Sequence, residues 1–364
     1  MDRPTIDHRG PEFARLGAEC LEGMKAVFQM TAGRVFIYPA SGTGAWEAAI
    51  VNTLSPGDRI LMFETGHFAN LWRKIAENLG LLVDFVPGDW RHGIDPAVLR
   101  RKLEEDGGQQ FKAVMCVHNE TSTGIASRIG DVRRAMDATG HSALLMVDTI
   151  SSLGSIDYRH EDWKVDVTVA GSQKGLMLPP GLSFNAVSPK ALAASKSARL
   201  RRAYWSWDEM IPANDAGFFP YTPGTNLLYG LRESIRMLVQ EEGLENVFQR
   251  HARLAEATRR AVRGWGLELL CLEPSEYSHS LTAVMMPDGF NEAEFRKLAL
   301  EHFDLSLGAG LGKLAGKVFR IGHLGDLNDL TLCGTLCGVE MGLERYSVPI
   351  RQGGVAAAMA YLKG

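Results

Sequence analysis

Val169-Ala-Gly-Ser-Gln-Lys174-Gly-Leu-Met-Leu-Pro-Pro-Gly181 continues an apolar run that begins at Val165. The run reads as a buried strand. Lys174 stands just past its end, hemmed in by Gly171, Gly175, Pro179 and Pro180. That is an odd position for a solvated surface charge. A lysine in a partly desolvated site holds its proton less firmly and can form Schiff bases with aldehydes. Upstream, Asp148 closes another apolar run, Ala143-Leu-Leu-Met-Val-Asp148. A lysine and a carboxylate at nearby strand ends are the pair that pyridoxal phosphate requires, one for its aldehyde carbon and one for its pyridinium nitrogen. A strand-end lysine taken singly is more often an ordinary loop residue, so the other segments must decide.

Outward from this point, apolar runs recur at Val35–Tyr38, Arg59–Phe63, Leu81–Val86, Ala113–Val117, Ala143–Val147, Val165–Ala170 and Leu182–Val187. Most are continuous rather than alternating, as strands buried on both faces read. Helical stretches lie between most of them, at Ala45–Leu54, Ala69–Leu79, Asp95–Glu105 and Asp131–Thr139. This order predicts an α/β fold with a mostly parallel seven-stranded sheet flanked by helices. Ligands of such sheets sit outside the C-terminal strand ends. The pattern changes after about residue 235. A helix over Glu241–Arg263 is followed by strands at Leu267–Cys271, Leu281–Met286 and Lys317–Gly322, helices at Asn291–His302 and Asp329–Glu344, and a short helix near Ala356. The expected division is a large domain over 1–235 and a smaller α+β domain over 236–364.

The chain has 364 residues, which suits two domains at ~150 residues each. Its 39 basic and 43 acidic residues give a net charge of −4, which argues against a nucleic-acid or polybasic membrane partner. No apolar stretch reaches the ~18 residues of a membrane helix, and the N-terminus is too polar for a secretory signal. The expected location is the cytoplasm. The five cysteines show no metal or disulfide spacing; Cys333 and Cys337 share a helix face and read as core packing.

Several segments at strand ends carry candidate chemistry. Ser41-Gly-Thr-Gly-Ala-Trp-Glu47 is a Gly-rich turn opening a helix, a place where backbone N–H groups can meet an anion. Phe68, in Glu64-Thr-Gly-His-Phe68, could stack on a flat ring or simply pack. His118-Asn-Glu-Thr-Ser-Thr-Gly124 looks like a hydrogen-bonding rim, with Thr121 or Ser122 facing a ligand hydroxyl. Arg320 interrupts the apolar strand Val318-Phe-Arg-Ile. It reads either as a clamp for a substrate carboxylate or as half of a structural ion pair.

Together these segments resemble the class V branch of the fold-type I pyridoxal phosphate enzymes, on the side of the serine–glyoxylate and alanine–glyoxylate aminotransferases. The resemblance rests on Pro4-Thr-Ile-Asp-His-Arg-Gly-Pro-Glu12, Ser41-Gly-Thr-Gly44, Thr65-Gly-His-Phe68, His118–Gly124, Val147-Asp-Thr-Ile-Ser-Ser-Leu-Gly154, Gly171-Ser-Gln-Lys-Gly175 and Lys317–Gly325, in this order along nearly the whole chain. It implies that Lys174 bonds the cofactor and then shuttles the substrate proton, while Asp148 keeps the pyridinium charged. Phe68 would stack on the ring, and Thr121 would lie by its hydroxyl. Thr43, Gly44, Ala45 and Gln173 would hold the phosphate. Tyr221 and Thr222 (or Thr225) would reach the phosphate of a second subunit, making a homodimer obligatory. Arg320 would bind the α-carboxylate. The implied reaction is transfer of an amino group from a small L-amino acid to glyoxylate. Serine is the first donor, with alanine, aspartate, a pyridoxamine–pyruvate exchange or a non-catalytic scaffold as alternatives. Such proteins usually carry a Pro-Gly-Pro-Thr strand ahead of Pro4; this sequence starts at Met1 without it, so either the start is internal to a longer chain or a segment bordering the substrate is lacking, which would affect substrate affinity and small-domain closure rather than the cofactor site. Gly224 stands where relatives often have Ala.

Overall fold

The computed structural model describes residues 3–364. Strands β1 (Arg34–Tyr38), β2 (Arg59–Phe63), β3 (Leu82–Val86), β4 (Phe111–Val117), β7 (Leu144–Asp148), β8 (Val167–Gly171) and β9 (Ser183–Val187) form one sheet in the order β1-β9-β8-β7-β4-β2-β3. The pairs from β3 to β8 are parallel, and β9 runs antiparallel to both of its neighbours. A hairpin of β5 (Asn119–Glu120) and β6 (Ile125–Ala126) follows β4 directly.

Both faces of this sheet are covered, which explains the continuous apolar runs. Val35 and Ile37 of β1 point into one core, with Phe13, Leu16 and Met24 of α1 (Pro11–Phe28). Phe36 and Tyr38 point into the other, with Trp46 and Ala49 of α2 (Gly42–Thr53) and Trp72 of α3 (His67–Asn78). Successive side chains of a strand alternate between faces, so a strand with two buried faces shows no polar alternation. The helices α4 (Pro96–Glu105) and α5 (Ile129–Thr139) lie where the sequence places them. Helix α1, and α6 (Pro189–Ser195), α7 (Trp207–Asp215) and α8 (Thr225–Ile235), were not expected. The aromatic-rich text around α7 reads as a loop, yet Trp207 is a core residue stacked on Phe36 at 5.3 Å.

Beyond α8 the backbone widens into a π-helical turn, Arg236–Glu241, before α9 (Leu244–Trp265). The break comes at Gly243, whose φ of 79° lies in the left-handed region that glycine tolerates. Strands β10 (Leu281–Met285) and β11 (Val318–Gly322) pair antiparallel. Helices α9, α10 (Glu292–Phe303), α11 (Asp329–Arg345) and α12 (Gly354–Leu362) close around Trp265, Phe295, Phe319 and Leu336. The expected strand at Leu267–Cys271 reduces to one bridge, Leu269 to Val284. Leu238 and Val247 belong to the large-sheet core, which therefore extends past residue 235. Cys333 is half-buried and Cys337 exposed, so that pair faces outward rather than into the core.

Five histidines sit in poorly solvated places where charge is disfavoured. Burial holds His118, His160, His251 and His279 down to about 4 and His323 to about 3. Unfolded histidine titrates near ~6.5. Each therefore contributes stability above that value that is lost as pH falls toward 4, because the unfolded chain binds the extra protons. We expect the denaturant midpoint of the apoprotein to fall steadily between pH 6.5 and 4, with roughly three or more protons taken up on unfolding near pH 5. A flat stability profile across this range would contradict the burial assignment.

Candidate active site

Strands β7 and β8 lie side by side, with Asp148 opposite Val169. Past the end of β8 the chain turns sharply through Gly175. A side chain there would put its Cβ 2.2 Å from the Leu153 carbonyl oxygen, so only glycine fits. This turn presents Lys174, which is half-buried. Burial, and then the charge of Arg320, pull its pKa below the usual lysine value, with Asp148 pulling the other way. Asp148 is buried at 4 % exposure. Its Oδ1 accepts the Ile150 N–H at 2.7 Å and its Oδ2 accepts the indole N–H of Trp46 at 3.0 Å. Burial, aided by the nearby Glu120, pushes its pKa up to about 7 despite those donors and Lys174. A carboxylate in this condition is a receptor for a cation.

The first turn of α2 begins beside this pair. The Ser41 hydroxyl does not cap the helix. Gly44 and Ala45 N–H groups return to the Ser41 carbonyl, at 2.9 and 3.4 Å. A Cβ on Gly42 would lie 2.4 Å from Ile150 Cδ1 and one on Gly44 2.6 Å from Trp205 Cη2, so a side chain at either place would displace those residues. Thr43 is exposed, Gly44 half-buried and Ala45 buried. Gln173 lies next to this helix end: a Cβ on Gly171 would be 2.9 Å from Gln173 Oε1 and 3.6 Å from Gly42 N. The Gln173 Oε1 is buried and has no hydrogen-bond partner. An uncapped helix N-terminus suits a phosphate, and the unpaired Oε1 leaves the Gln173 amide free to turn its N–H₂ toward one.

Phe68, the second residue of α3, is half-buried. The Thr121 hydroxyl donates to Ser151 Oγ at 2.7 Å, and its carbonyl accepts Arg320 Nη1 at 2.6 Å. Arg320 Nε donates to the Ala309 carbonyl at 2.8 Å. Among the described residues no carboxylate pairs with Arg320, so the structural ion pair is not what holds it. Two neutral carbonyls fix the guanidinium and leave its charge uncompensated; burial lowers its pKa, and Glu120 opposes that. The strand carrying Arg320 bridges to Gly308. The loop beyond Gly308 leads to Lys313, which pairs with Glu64; Glu64 also accepts the Trp90 indole N–H at 3.0 Å.

Lys174, Asp148, Thr43, Gly44, Ala45, Phe68, Thr121, Gln173 and Arg320 thus surround the C-terminal ends of the sheet. Tyr221 and Thr222 do not join them within one chain. Tyr221 stacks on Tyr204 at 4.6 Å and donates to the Ala203 carbonyl, and Thr222 is exposed. Thr225 is buried in α8. Two site residues were missed from the sequence. Trp46 stands in the Gly-rich turn without a role of its own in the sequence reading, although a buried indole N–H demands an acceptor. Glu120 was absorbed into a polar rim, although a charge between two strand runs was the visible signal.

The class-V aminotransferase family model matches residues 3–311. The chain belongs to the class V aminotransferases. It is 49% identical over 363 residues to the serine–glyoxylate aminotransferase of Methylorubrum extorquens, covering 98% of this chain and 90% of that protein. It is 45% identical over 364 residues to the L-aspartate–glyoxylate aminotransferase of Paracoccus denitrificans, covering 100% and 92%. The fold matches the crystal structure of ureidoglycine–glyoxylate aminotransferase from Bacillus subtilis with a TM-score of 0.93 at 26% identity, covering 100% and 93%. As a class V aminotransferase the chain is an enzyme, and its family implies pyridoxal phosphate as cofactor.

The condition of Asp148 gives a measurable sign. Its pKa is about 7 folded, against ~3.9 unfolded. The folded apoenzyme therefore binds this proton more tightly, and Asp148 costs stability progressively as pH rises from 4 to 7. The Asp148→Asn apoenzyme should gain on the wild type by a few kcal/mol between pH 4 and 8, as order of magnitude. Denaturant titrations at both pH values check this; a difference that does not change with pH would refute it.

Proposed function

We propose that this chain binds pyridoxal phosphate and transfers the amino group of a small L-amino acid, serine first, to glyoxylate, giving glycine and the donor's 2-oxo acid. The observation that carries the reading is a half-buried lysine near a buried Asp148 whose raised pKa that lysine does not offset, next to an arginine that pairs with no carboxylate among the described residues. The donor and acceptor rest on the relatives' activities. Serine or alanine suits the site better than aspartate. Of the two lysines in the loop next to Arg320, Lys313 and Lys317, Glu64 already holds Lys313. A second substrate carboxylate would have to compete for it.

Bound here, the cofactor carries the amino group and withdraws electron density from the substrate Cα. Asp148 meets its ring nitrogen; the carboxylate–cation attraction is worth roughly 4 kcal/mol at 4 Å before desolvation. Thr43, Gly44, Ala45 and Gln173 meet its phosphate, Phe68 covers its ring and Thr121 faces its hydroxyl. Arg320 binds the substrate α-carboxylate and so orients Cα. Lys174, its pKa lowered by burial, would take up the substrate Cα proton and hold it in the site for return. Tyr221 and Thr222 complete the phosphate site of a second copy in a homodimer, which accounts for their position outside the site of their own chain. Residues 1–235 act as the cofactor domain and 236–364 as the domain that brings Arg320, in a cytoplasmic enzyme.

The deciding experiment is the visible spectrum of the protein with pyridoxal phosphate, before and after L-serine and then glyoxylate. We expect a yellow band that bleaches with serine and returns with glyoxylate. A band that ignores serine, alanine and aspartate would overturn the reaction. Lys174→Ala should lower turnover by ~1000-fold or more while the protein stays folded. Arg320→Gln should raise KM for serine by roughly 10- to 100-fold, the worth of a charged hydrogen-bonded contact, with cofactor affinity little changed. Steady-state kinetics and a cofactor titration separate these effects.

A further inference from the structure

Glu120 is fully buried and has no part in the roles above. Its carboxylate reaches from β5 to the start of α3. Oε1 accepts the Ser122 hydroxyl at 2.6 Å, the Ser122 N–H at 3.0 Å and the Phe68 N–H at 3.3 Å. Oε2 accepts the Ala69 N–H at 3.0 Å. The N-cap of α3 is Gly66, which has no side chain to cap with. A Cβ on Gly66 would lie 2.4 Å from Glu120 Cγ and 2.5 Å from Ser122 Oγ. The missing side chain makes room for a cap supplied by a distant segment. No cation pairs with Glu120 among the described residues; the donors and the positive end of the helix compensate its burial.

A cap alone needs only a short serine or aspartate at position 66. The longer route through Glu120 couples three parts of the site. Phe68, whose N–H it holds, is the ring wall. Thr121, the next residue, donates its hydroxyl to Ser151, and its carbonyl accepts from Arg320. Ser122, bound to the same carboxylate, accepts the His67 N–H at 2.9 Å.

We propose that Glu120 is a positioning residue, which ties the Phe68 wall to the Thr121–Arg320 clamp and so sets the cofactor ring at a fixed distance from the substrate carboxylate. This rests on the function proposed above. In Glu120→Gln the amide keeps the size of the group but turns an N–H₂ toward the Ala69 N–H, donor against donor. Ser122→Ala removes the shortest bond and is the milder variant.

The test compares both variants with the wild type in three measurements. Hydrogen exchange of the apoprotein reads the amides of Phe68 and Ala69. A titration with pyridoxal phosphate, with visible circular dichroism of the bound form, reads ring placement. Kinetics read KM against kcat for the amino donor. We expect faster exchange at Phe68 and Ala69, cofactor affinity ~10-fold weaker in Glu120→Gln, altered dichroism and a raised donor KM, with the same pattern weaker in Ser122→Ala. Wild-type exchange at those amides would overturn the proposal. A lowered melting temperature with unchanged cofactor affinity, dichroism and KM would also overturn it, leaving a cap of purely structural value. If the wild type fails to use serine and glyoxylate, the proposed reaction falls, while exchange and cofactor affinity still decide the role of Glu120.

Discussion

A carboxylate buried at the end of a parallel strand is the constraint on which this structure turns. Asp148 accepts two hydrogen bonds and feels the charge of Lys174, yet burial and the nearby Glu120 raise its pKa to about 7. An ionised group so placed is costly, and the cost is carried by the packing around it. Trp46 donates to Asp148 with one edge while its face stacks on Trp72 at 5.9 Å. The contact that fixes the carboxylate is therefore also part of the core under α2 and α3. A cation arriving at Asp148 would offset the penalty at a carboxylate already held in place by two donors.

The glycines of the site serve the same end by close approach rather than by flexibility. Gly175 lets the Lys174 turn touch the Leu153 carbonyl, Gly42 lets α2 start against Ile150, and Gly66 admits the Glu120 carboxylate. Each replaces a side chain with a group from another element: a carbonyl, an isoleucine side chain or a carboxylate. Three segments far apart in sequence can then meet at the strand ends without intervening bulk.

This pattern explains what the sequence did and did not disclose. The strands were legible because burial on both faces leaves uninterrupted apolar runs. The charges that break or end those runs, Asp148, Lys174 and Arg320, were legible for the same reason. The reversal of β9 was not, since an antiparallel strand inside a covered sheet is as apolar as a parallel one. Helix α1 does carry a signal, since Phe13, Leu16, Cys20 and Met24 recur at helical spacing behind Pro11; only the lack of a serine or aspartate cap weakens it. Glu120 and Trp46 act on partners tens of residues away. A cap delivered from a distance leaves no local motif, and the glycine at position 66 looks like a turn.

The pairing of charges separates what holds the chain together from what it must leave free. Glu64 and Lys313 join the large sheet to the loop beyond Gly308, with Lys313 also 5.2 Å from the Trp90 ring centre. Lys313 is largely solvent-exposed, so this pair orients the loop more than it stabilises the fold. Arg320, at the other end of that loop, is held by the carbonyls of Thr121 and Ala309. A carboxylate partner would have fixed the guanidinium equally well but would have cancelled the charge that a substrate must meet. Carbonyl oxygens supply direction without neutralisation. In a half-buried position, where an unpaired cation attracts an anion strongly, that choice converts a structural arginine into a binding one.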